Sequence, residues 1–229
     1  MRHYAVMASR SVSRQSLSAE VVGTGVLVCI VIGSGILGSQ LSRDLGVVLV
    51  VNMVATVLGL GILIYVLQPV SGAIFNPVIT AVLWRRGVIG GGAAITLSLA
   101  QIAGACLGAI VANTMFNRAA ISIASTSRSS VGEFVGEIIA TAGLVTAVCV
   151  CLDRRATSAL AFVVPAWIGS AYLFTSSTSF ANPAVTLGRT LSDSFAGIAP
   201  NSLGVFLVAQ LVGGVLGLAL AQGWRSIPK

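Results

Sequence analysis

Six long apolar stretches limit what this chain of 229 residues can fold into more than any other feature. Only 8% of its residues are charged, whereas about 25% are charged in soluble domains. Each stretch is close to the ~20 residues that a helix needs to cross a ~30 Å hydrocarbon core. The stretches cover residues 17–38, 46–68, 93–116, 131–152, 158–175 and 201–223. The sequence therefore predicts an all-α membrane protein with six spans, in which residues 1–229 form a single transmembrane domain.

The basic residues indicate how these spans are oriented. They stand singly or in pairs at the ends of the stretches, without the one-sided cluster that a nucleic-acid-binding surface needs. If the N-terminus is inside, nine basic residues are cytoplasmic and four are outside, which fits the positive-inside rule. The inner set is Arg2, Arg10, Arg14, Arg85, Arg86, Arg154, Arg155, Arg225 and Lys229, and the outer set is Arg43, Arg118, Arg128 and Arg189. We expect a multi-pass protein of the inner (plasma) membrane with both termini in the cytoplasm and no nucleic-acid partner.

A short motif occurs twice, as Asn76-Pro77-Val78-Ile79-Thr80 and as Asn182-Pro183-Ala184-Val185-Thr186. Asn is a favoured N-cap and Pro is favoured at the first helical position, so each motif marks a helix that begins at the Asn. The segment from Asn76 to Arg86 is about ten residues, or ~15 Å, which is half of the hydrocarbon thickness. We therefore predict two re-entrant half-helices whose N-termini meet near the middle of the membrane.

The order of the motifs predicts an inverted repeat. Repeat one covers about residues 17–116 and repeat two about 131–223, and each contains three spans. Because three is an odd number, the second copy must enter the membrane from the opposite side. Arg85 and Arg86 would then end the first half-helix at the cytoplasmic surface, while Arg189 and Asp193 would end the second at the outer surface. Broken helices in an inverted repeat are typical of a path across the membrane.

Each repeat opens with a carboxylate inside an apolar span. Glu20 and Thr24 in the first repeat match Glu137 and Thr141 in the second, and the four-residue spacing puts each pair on one helix face. A carboxylate inside a span costs at least ~2.5 kcal/mol, so it needs partners. We predict that these residues brace the re-entrant segments by accepting hydrogen bonds from their unpaired backbone N–H groups.

The sequence offers no catalytic or metal-binding pattern. The four cysteines, Cys29, Cys106, Cys149 and Cys151, all lie inside apolar spans without metal-ligand spacing, and we interpret them as small core residues. His3 is the only histidine, and no nucleophile–base pair or phosphate-binding loop accompanies it. We therefore expect neither an enzyme nor a cofactor.

These residues together resemble the major intrinsic protein family, the aquaporins and aquaglyceroporins. The resemblance covers six spans, two Asn-Pro half-helices and a Glu-x-x-x-Thr segment that opens each repeat. It implies a bundle of six transmembrane helices with two re-entrant half-helices, a pore in each protomer and a homotetramer. It also implies a central constriction at which the two Asn amides donate hydrogen bonds to a passing solute. The constriction residues are Asn76, Pro77, Val78, Asn182, Pro183 and Ala184.

The resemblance also implies an outer selectivity filter of four residues. Counting from the two Asn residues gives Thr56, Ser170 or a neighbour, Ser179 and Val185. Members of the family usually have Arg where this chain has Val185. Because valine lacks the charge, the donors and the bulk of a guanidinium, we expect a wider filter, without aromatic residues, and a weaker barrier to ions.

Residues 171–186 look like a bacterial subgroup of the family that is associated with arsenic resistance. The resemblance implies a passive channel for arsenous acid, methylated arsenicals, glycerol-like polyols and water. The alternatives are a water or glycerol channel without an arsenic role, a proton-coupled secondary transporter that titrates Glu20 or Glu137, and a structural membrane junction protein. The implied partners are small neutral solutes and the lipid bilayer.

Overall fold

The computed structural model describes residues 12–225, which form six long helices, two short helices and one 3₁₀ turn at Thr157–Ala159. The helices are α1 (Arg14–Leu41), α2 (Leu45–Ser71), α3 (Pro77–Arg85), α4 (Gly91–Met115), α5 (Val131–Asp153), α6 (Leu160–Phe174), α7 (Pro183–Arg189) and α8 (Pro200–Arg225). The six long ones, with the 3₁₀ turn extending α6, are apolar and long enough to cross a membrane. Their bounds agree with the apolar stretches to within a few residues, and the predicted fold class is confirmed. Arg2, His3, Arg10 and Lys229 lie outside the described residues.

Two short helices interrupt the bundle, as the Asn-Pro motifs predict. Helix α3 has nine residues and α7 has seven, so neither can cross a hydrocarbon core. Asn76 caps α3 by accepting from the Val78 N–H at 2.9 Å. Asn182 caps α7 by accepting from the Ala184 N–H at 3.0 Å. Both helices therefore begin where local capping chemistry places them.

The six spans give the bundle two ends, which we call the terminal side and the far side. Arg14 of α1 and Arg225 of α8 lie on the terminal side, because an even number of crossings returns the chain to the side where it began. Helix α3 runs from the middle of the bundle to the terminal side, and α7 runs from the middle to the far side. The two half-helices thus point in opposite directions, which is the arrangement of an inverted repeat.

Small residues let the first and last helices of each repeat approach closely. A Cβ atom added to Gly108 of α4 would lie 2.0 Å from the Gly25 carbonyl oxygen of α1. In the second repeat, a Cβ added to Gly217 of α8 would lie 2.3 Å from the Ala142 carbonyl oxygen of α5. Because no side chain fits at either crossing, glycine is required there.

On the far side, residues 117–130 connect the repeats without helix and pair with the segment that follows α7. The backbone N–H groups of Ser122 and Ala124 donate to the carbonyls of Leu191 and Thr190 at 3.0 and 2.9 Å. Asp193 accepts from both the backbone N–H and the hydroxyl of Ser125 at 2.9 Å, and these bonds lower the pKa of its carboxyl. This pairing fixes a loop over the C-terminal end of α7.

Candidate functional site

A narrow cavity of about 90 Å³ lies between the two repeats. Along α6 it is bordered by one residue per turn, from Leu160 near the terminal side to Tyr172 near the far side, a length of ~18 Å. Its terminal half is lined mainly by aliphatic side chains, which include Ile64, Leu83, Val148 and Leu152. Its far half contains most of the polar side chains, namely Thr56, Tyr172, Ser179 and Arg189.

The two Asn residues lie where these halves of the cavity meet. Both border the cavity, with 5% and 6% of their surfaces exposed. The Asn76 amide nitrogen donates to the Ala181 carbonyl at 2.7 Å, and the Asn182 amide nitrogen donates to the Phe75 carbonyl at 2.7 Å. The sequence did not predict this crossed pair. Because an amide nitrogen carries two hydrogens, each Asn keeps one further N–H donor.

The segment before each Asn has an uncommon backbone conformation. Ala73 and Phe75 in the first repeat, and Thr178, Ser179 and Ala181 in the second, have φ angles between 47° and 57°. Such positive φ values are uncommon for residues other than glycine and persist only where neighbouring groups fix them. Gly72 also borders the cavity, and because it has no side chain, it presents backbone atoms to the cavity.

In the first repeat, the carboxylate of Glu20 stabilises this backbone conformation. Its fully buried carboxylate accepts from the backbone N–H of Ile74 at 3.0 Å and of Phe75 at 2.7 Å. The Ser71 hydroxyl donates to it at 2.6 Å, and the Gln101 amide at 2.8 Å. The carboxylate thus accepts four hydrogen bonds, two from the re-entrant segment, one from the end of α2 and one from α4.

Glu137 occupies the equivalent place in the second repeat. It accepts from the backbone N–H groups of Phe180 and Ala181 and from the Gln210 amide, the last at 2.7 Å. Gln210 also donates to the Thr186 hydroxyl of α7 at 2.8 Å. In the first repeat, Gln101 likewise donates to the Thr80 hydroxyl of α3 at 3.1 Å.

Thr24 and Thr141 take no part in this bracing, contrary to the prediction from the repeat pattern. Thr24 and Thr141 are fully buried, but neither hydroxyl has a hydrogen-bond partner among residues 12–225. The longer amides of Gln101 and Gln210 reach both the carboxylate and the half-helix. A glutamine near the middle of the last span of each repeat was the signal in the sequence that could have identified them.

Ser170 is a second error. It is exposed on the outer face of α6, whereas the cavity-lining residues of that helix are Leu160, Val164, Ile168 and Tyr172. These residues are four apart and share one helix face, and Ser170 lies half a turn from that face. Tyr172 is the lining residue of α6 nearest the far side, so it replaces Ser170 as the candidate for the predicted filter position. An aromatic ring thus borders the cavity, contrary to the sequence expectation.

The other three predicted filter residues border the cavity. The hydroxyls of Thr56 and Ser179 are buried without hydrogen-bond partners within the described part of the chain. Val185 lies three residues after Asn182, and Ile79 lies three residues after Asn76, so the two half-helices present matching aliphatic side chains to the cavity.

Arg189 lies elsewhere than the sequence analysis predicted. It is the last residue of α7, but only 2% of it is exposed, and it borders the cavity instead of lying at the outer surface. Its guanidinium carbon lies 3.3 Å from the centroid of the Phe180 ring, and its Nε donates to the Ala196 carbonyl. Because Val185 and Arg189 are four residues apart, they lie on the same face of α7.

None of the four cysteines borders the cavity. All four are unpaired thiols, with Cys149 and Cys151 buried and Cys29 and Cys106 half-buried. Across residues 12–225, no group of His, Cys, Asp and Glu side chains could bind a metal ion.

Comparison with known proteins gives a consistent picture. The family model of the major intrinsic proteins matches residues 7–181. The chain is 39% identical to an aquaglyceroporin, AqpS, of Rhizobium meliloti, over 92% of this chain and 89% of the relative. It is 27% identical to a probable aquaporin, AqpM, of Archaeoglobus fulgidus, over 90% of this chain and 93% of that one. Its fold is similar to the X-ray structure of the aquaglyceroporin from Plasmodium falciparum, with a TM-score of 0.70 over 93% of this chain and 96% of the other at 20% identity.

Proposed function

This chain belongs to the major intrinsic protein family, and on that premise we propose that it is a passive channel for small uncharged solutes with a filter wider than that of a water channel. Members of this family are membrane channels and not enzymes. The proposed solutes are arsenous acid, methylated arsenicals and glycerol-like polyols, with water as a further permeant.

The proposal depends on one observation. The amides of Asn76 and Asn182 border the cavity at the point where the N-termini of α3 and α7 face each other. Each amide keeps one N–H that can donate to an oxygen atom in the cavity. Each helix N-terminus adds partial positive charge, which disfavours cations at the same point. A neutral solute that displays hydroxyl groups is therefore favoured over a cation.

The far half of the cavity supports the preference for solutes larger than water. Val185 contributes an isopropyl group where a guanidinium would occupy more space and offer several donors. The hydroxyls of Thr56 and Ser179 have no partners within the described residues and can hydrogen-bond a solute that carries oxygen atoms. Arsenous acid and glycerol are both small neutral molecules that carry several hydroxyl groups.

No observation favours the proton-coupled alternative. Glu20 and Glu137 do not border the cavity, and hydrogen bonds from the re-entrant segments and the glutamines occupy both carboxylates. A solute in the cavity would have no access to either group. A purely structural role for the protein would leave the cavity and its unpartnered hydroxyls without a use.

We propose that the terminal side is cytoplasmic, in the inner membrane, and that the channel assembles as a homotetramer. Arg14, Arg85, Arg86, Arg154, Arg155 and Arg225 lie at the terminal side, and Arg43, Arg118, Arg128 and Arg189 lie toward the far side. This distribution follows the positive-inside rule. The exposed apolar side chains on the outer faces of α1 and α4, such as Val22 and Val111, suit contact with lipid or with a neighbouring protomer.

Solute uptake by proteoliposomes tests the proposed function. Wild-type protein should accelerate the uptake of glycerol and arsenous acid over protein-free vesicles, without saturation and without an ion gradient. Val185→Arg should lower uptake of the larger solutes by about tenfold, because a guanidinium narrows the far half of the cavity. Water uptake should fall less. Equal glycerol and arsenous acid uptake by the two proteins would contradict the filter assignment.

A further inference from the structure

The two half-helices differ most at the seventh residue after the Asn. In α3 this residue is Leu83, and in α7 it is Arg189, and both border the cavity. The terminal half of the cavity, which we call the terminal vestibule, is therefore apolar at this position. The far half, which we call the far vestibule, contains a guanidinium. The repeat motif gives no reason for the difference, because residues at the third position, Ile79 and Val185, match.

The guanidinium of Arg189 uses only part of its hydrogen-bonding capacity within the protein. Its Nε donates to the Ala196 carbonyl, and its face stacks on the Phe180 ring. Its two terminal amino groups make no hydrogen bond to any residue in the described range. Because the side chain borders the cavity, water or solute oxygen atoms can reach these donors from there.

Arg189 also forms no ion pair with a carboxylate of the described residues, and the nearby carboxylate of Glu137 is bound to the re-entrant segment and Gln210 instead. The ion pairs of residues 12–225 both involve Asp153 at the terminal side, with Arg86 and Arg225. A buried cation without a directly paired carboxylate is costly and is retained where it has a use. Stacking on Phe180 offsets part of this cost but leaves the positive charge in place.

The positive charge of Arg189 acts on both ions and neutral solutes that enter the cavity from the far side. In a narrow cavity with low-dielectric walls, the charge repels cations strongly, because little solvent screens it. The terminal amino groups can at the same time donate to the oxygen atoms of a neutral solute. Thr56, Ser179 and Tyr172 border the same half of the cavity and offer further hydroxyls.

We propose that Arg189 is the cation-excluding and oxygen-binding residue of the far vestibule, one helical turn beyond Val185, so that the filter keeps an arginine although position 185 has none. This inference rests on the proposed channel function. It revises the expectation that valine at position 185 leaves this channel with a weaker barrier to ions.

Arg128 provides a matched control for a purely structural role. Its guanidinium carbon lies 5.3 Å from the centroid of the same Phe180 ring. Its Nε donates to the Gly197 carbonyl at 3.1 Å, and a terminal amino group donates to the Phe195 carbonyl at 3.3 Å. It does not border the cavity. Arg128 thus connects the far-side loops without access to the solute path.

The test measures glycerol uptake and K⁺ flux in the same proteoliposomes for wild type, Arg189→Gln, Arg189→Lys and Arg128→Gln. Wild type should take up glycerol and pass no more K⁺ than protein-free vesicles. Arg189→Gln keeps an amide donor for solute oxygen atoms, so it should conduct glycerol at a reduced but measurable rate, and K⁺ flux should rise by at least ~tenfold because the fixed charge is lost. Arg189→Lys and Arg128→Gln should remain impermeable to K⁺.

The outcomes separate this inference from the proposed function. Absence of glycerol uptake by wild type would overturn the proposed function. K⁺ flux through wild type, or Arg189→Gln that conducts glycerol and excludes K⁺, would overturn the role of Arg189. If Arg189→Gln does not yield folded protein, Arg189→Met takes its place, because it keeps a long apolar side chain beside Phe180 and loses the charge. K⁺ leakage through folded Arg189→Met that still conducts glycerol supports the role, and exclusion of K⁺ by it contradicts the role.

Discussion

The two half-helices are nearly identical where they meet and different where they end. At the middle of the bundle, each Asn caps its own helix and donates to a carbonyl of the other repeat. At the terminal side, Arg86, the C-cap of α3, pairs with Asp153, which also pairs with Arg225 at 2.7 Å. At the far side, Arg189 ends α7 with no carboxylate partner among the described residues.

This comparison separates two kinds of requirement. The middle must satisfy buried backbone groups that have no regular secondary structure, so both repeats keep the same carboxylate, glutamine and Asn chemistry. The ends face different vestibules, so they can differ without disturbing that network. We infer that the centre satisfies the needs of the fold in both repeats and supplies the Asn donors, whereas the far end of α7 adds a fixed charge that the terminal half of the cavity lacks.

The largest expected effect is loss of folded protein when Glu20 or Glu137 is replaced, and it tests whether the two carboxylates have equivalent roles in the two repeats. Glu20→Ala and Glu137→Ala each leave two buried backbone N–H groups without acceptors, at a cost of several kcal/mol. Both variants should therefore lose most of the folded protein, as measured by thermal unfolding in detergent.

Glu133→Ala is the control for this pair. Glu133 belongs to an exposed capping box with Ser130 at the start of α5, and its loss should cost only about 1 kcal/mol. A large effect in one repeat and a small effect in the other would break the proposed equivalence of Glu20 and Glu137.

The next largest effect is a loss of solute uptake when either Asn that donates to the opposite repeat is replaced. Asn76→Asp and Asn182→Asp each remove the donor to the opposite repeat and add a negative charge beside the cavity. Each should lower glycerol uptake by at least ~tenfold and weaken cation exclusion, because the positive helix N-termini are then neutralised. Stopped-flow light scattering on proteoliposomes measures the uptake. Loss of uptake in only one variant would show that the two Asn residues have unequal roles.

A smaller effect is expected at the terminal end. Asp153→Asn breaks the pairs with Arg86 and Arg225 and should lower the free energy of unfolding by about 1–3 kcal/mol. Glycerol uptake and K⁺ exclusion by the folded variant should stay close to wild type, since Asp153 does not border the cavity. A K⁺ leak in Asp153→Asn would contradict the assignment of ion exclusion to the far side.

The sequence predicts the fold well because its strongest signals are local or periodic. Apolar length gives the spans, and the Asn-Pro pairs give the starts of α3 and α7. Glu20 and Glu137 stand out because carboxylates are rare in apolar spans. These features depend on neighbours within a few residues, so no tertiary information is needed to recognise them.

The site is less predictable because it depends on register and on side-chain reach. Counting back from Asn182 gave Ser170, but the conformation of residues 175–181 determines which face of α6 meets the cavity, and Tyr172 lies there instead. Arg189 at the end of a half-helix resembles a surface residue until the loop at residues 195–199 is seen to cover it. Thr24 and Thr141 match the repeat pattern, yet the longer Gln101 and Gln210 are the side chains that reach the half-helices.

The central claim is that solutes pass through the cavity between the two repeats. Glycerol uptake by proteoliposomes that contain Val185→Trp or Ser170→Trp tests this claim most directly. Val185 borders the cavity and Ser170 is exposed on the outer face of α6, so the same added ring should obstruct only the first. The account predicts at least a ~tenfold loss of uptake for Val185→Trp and near-wild-type uptake for Ser170→Trp. Undiminished uptake through folded Val185→Trp would contradict it.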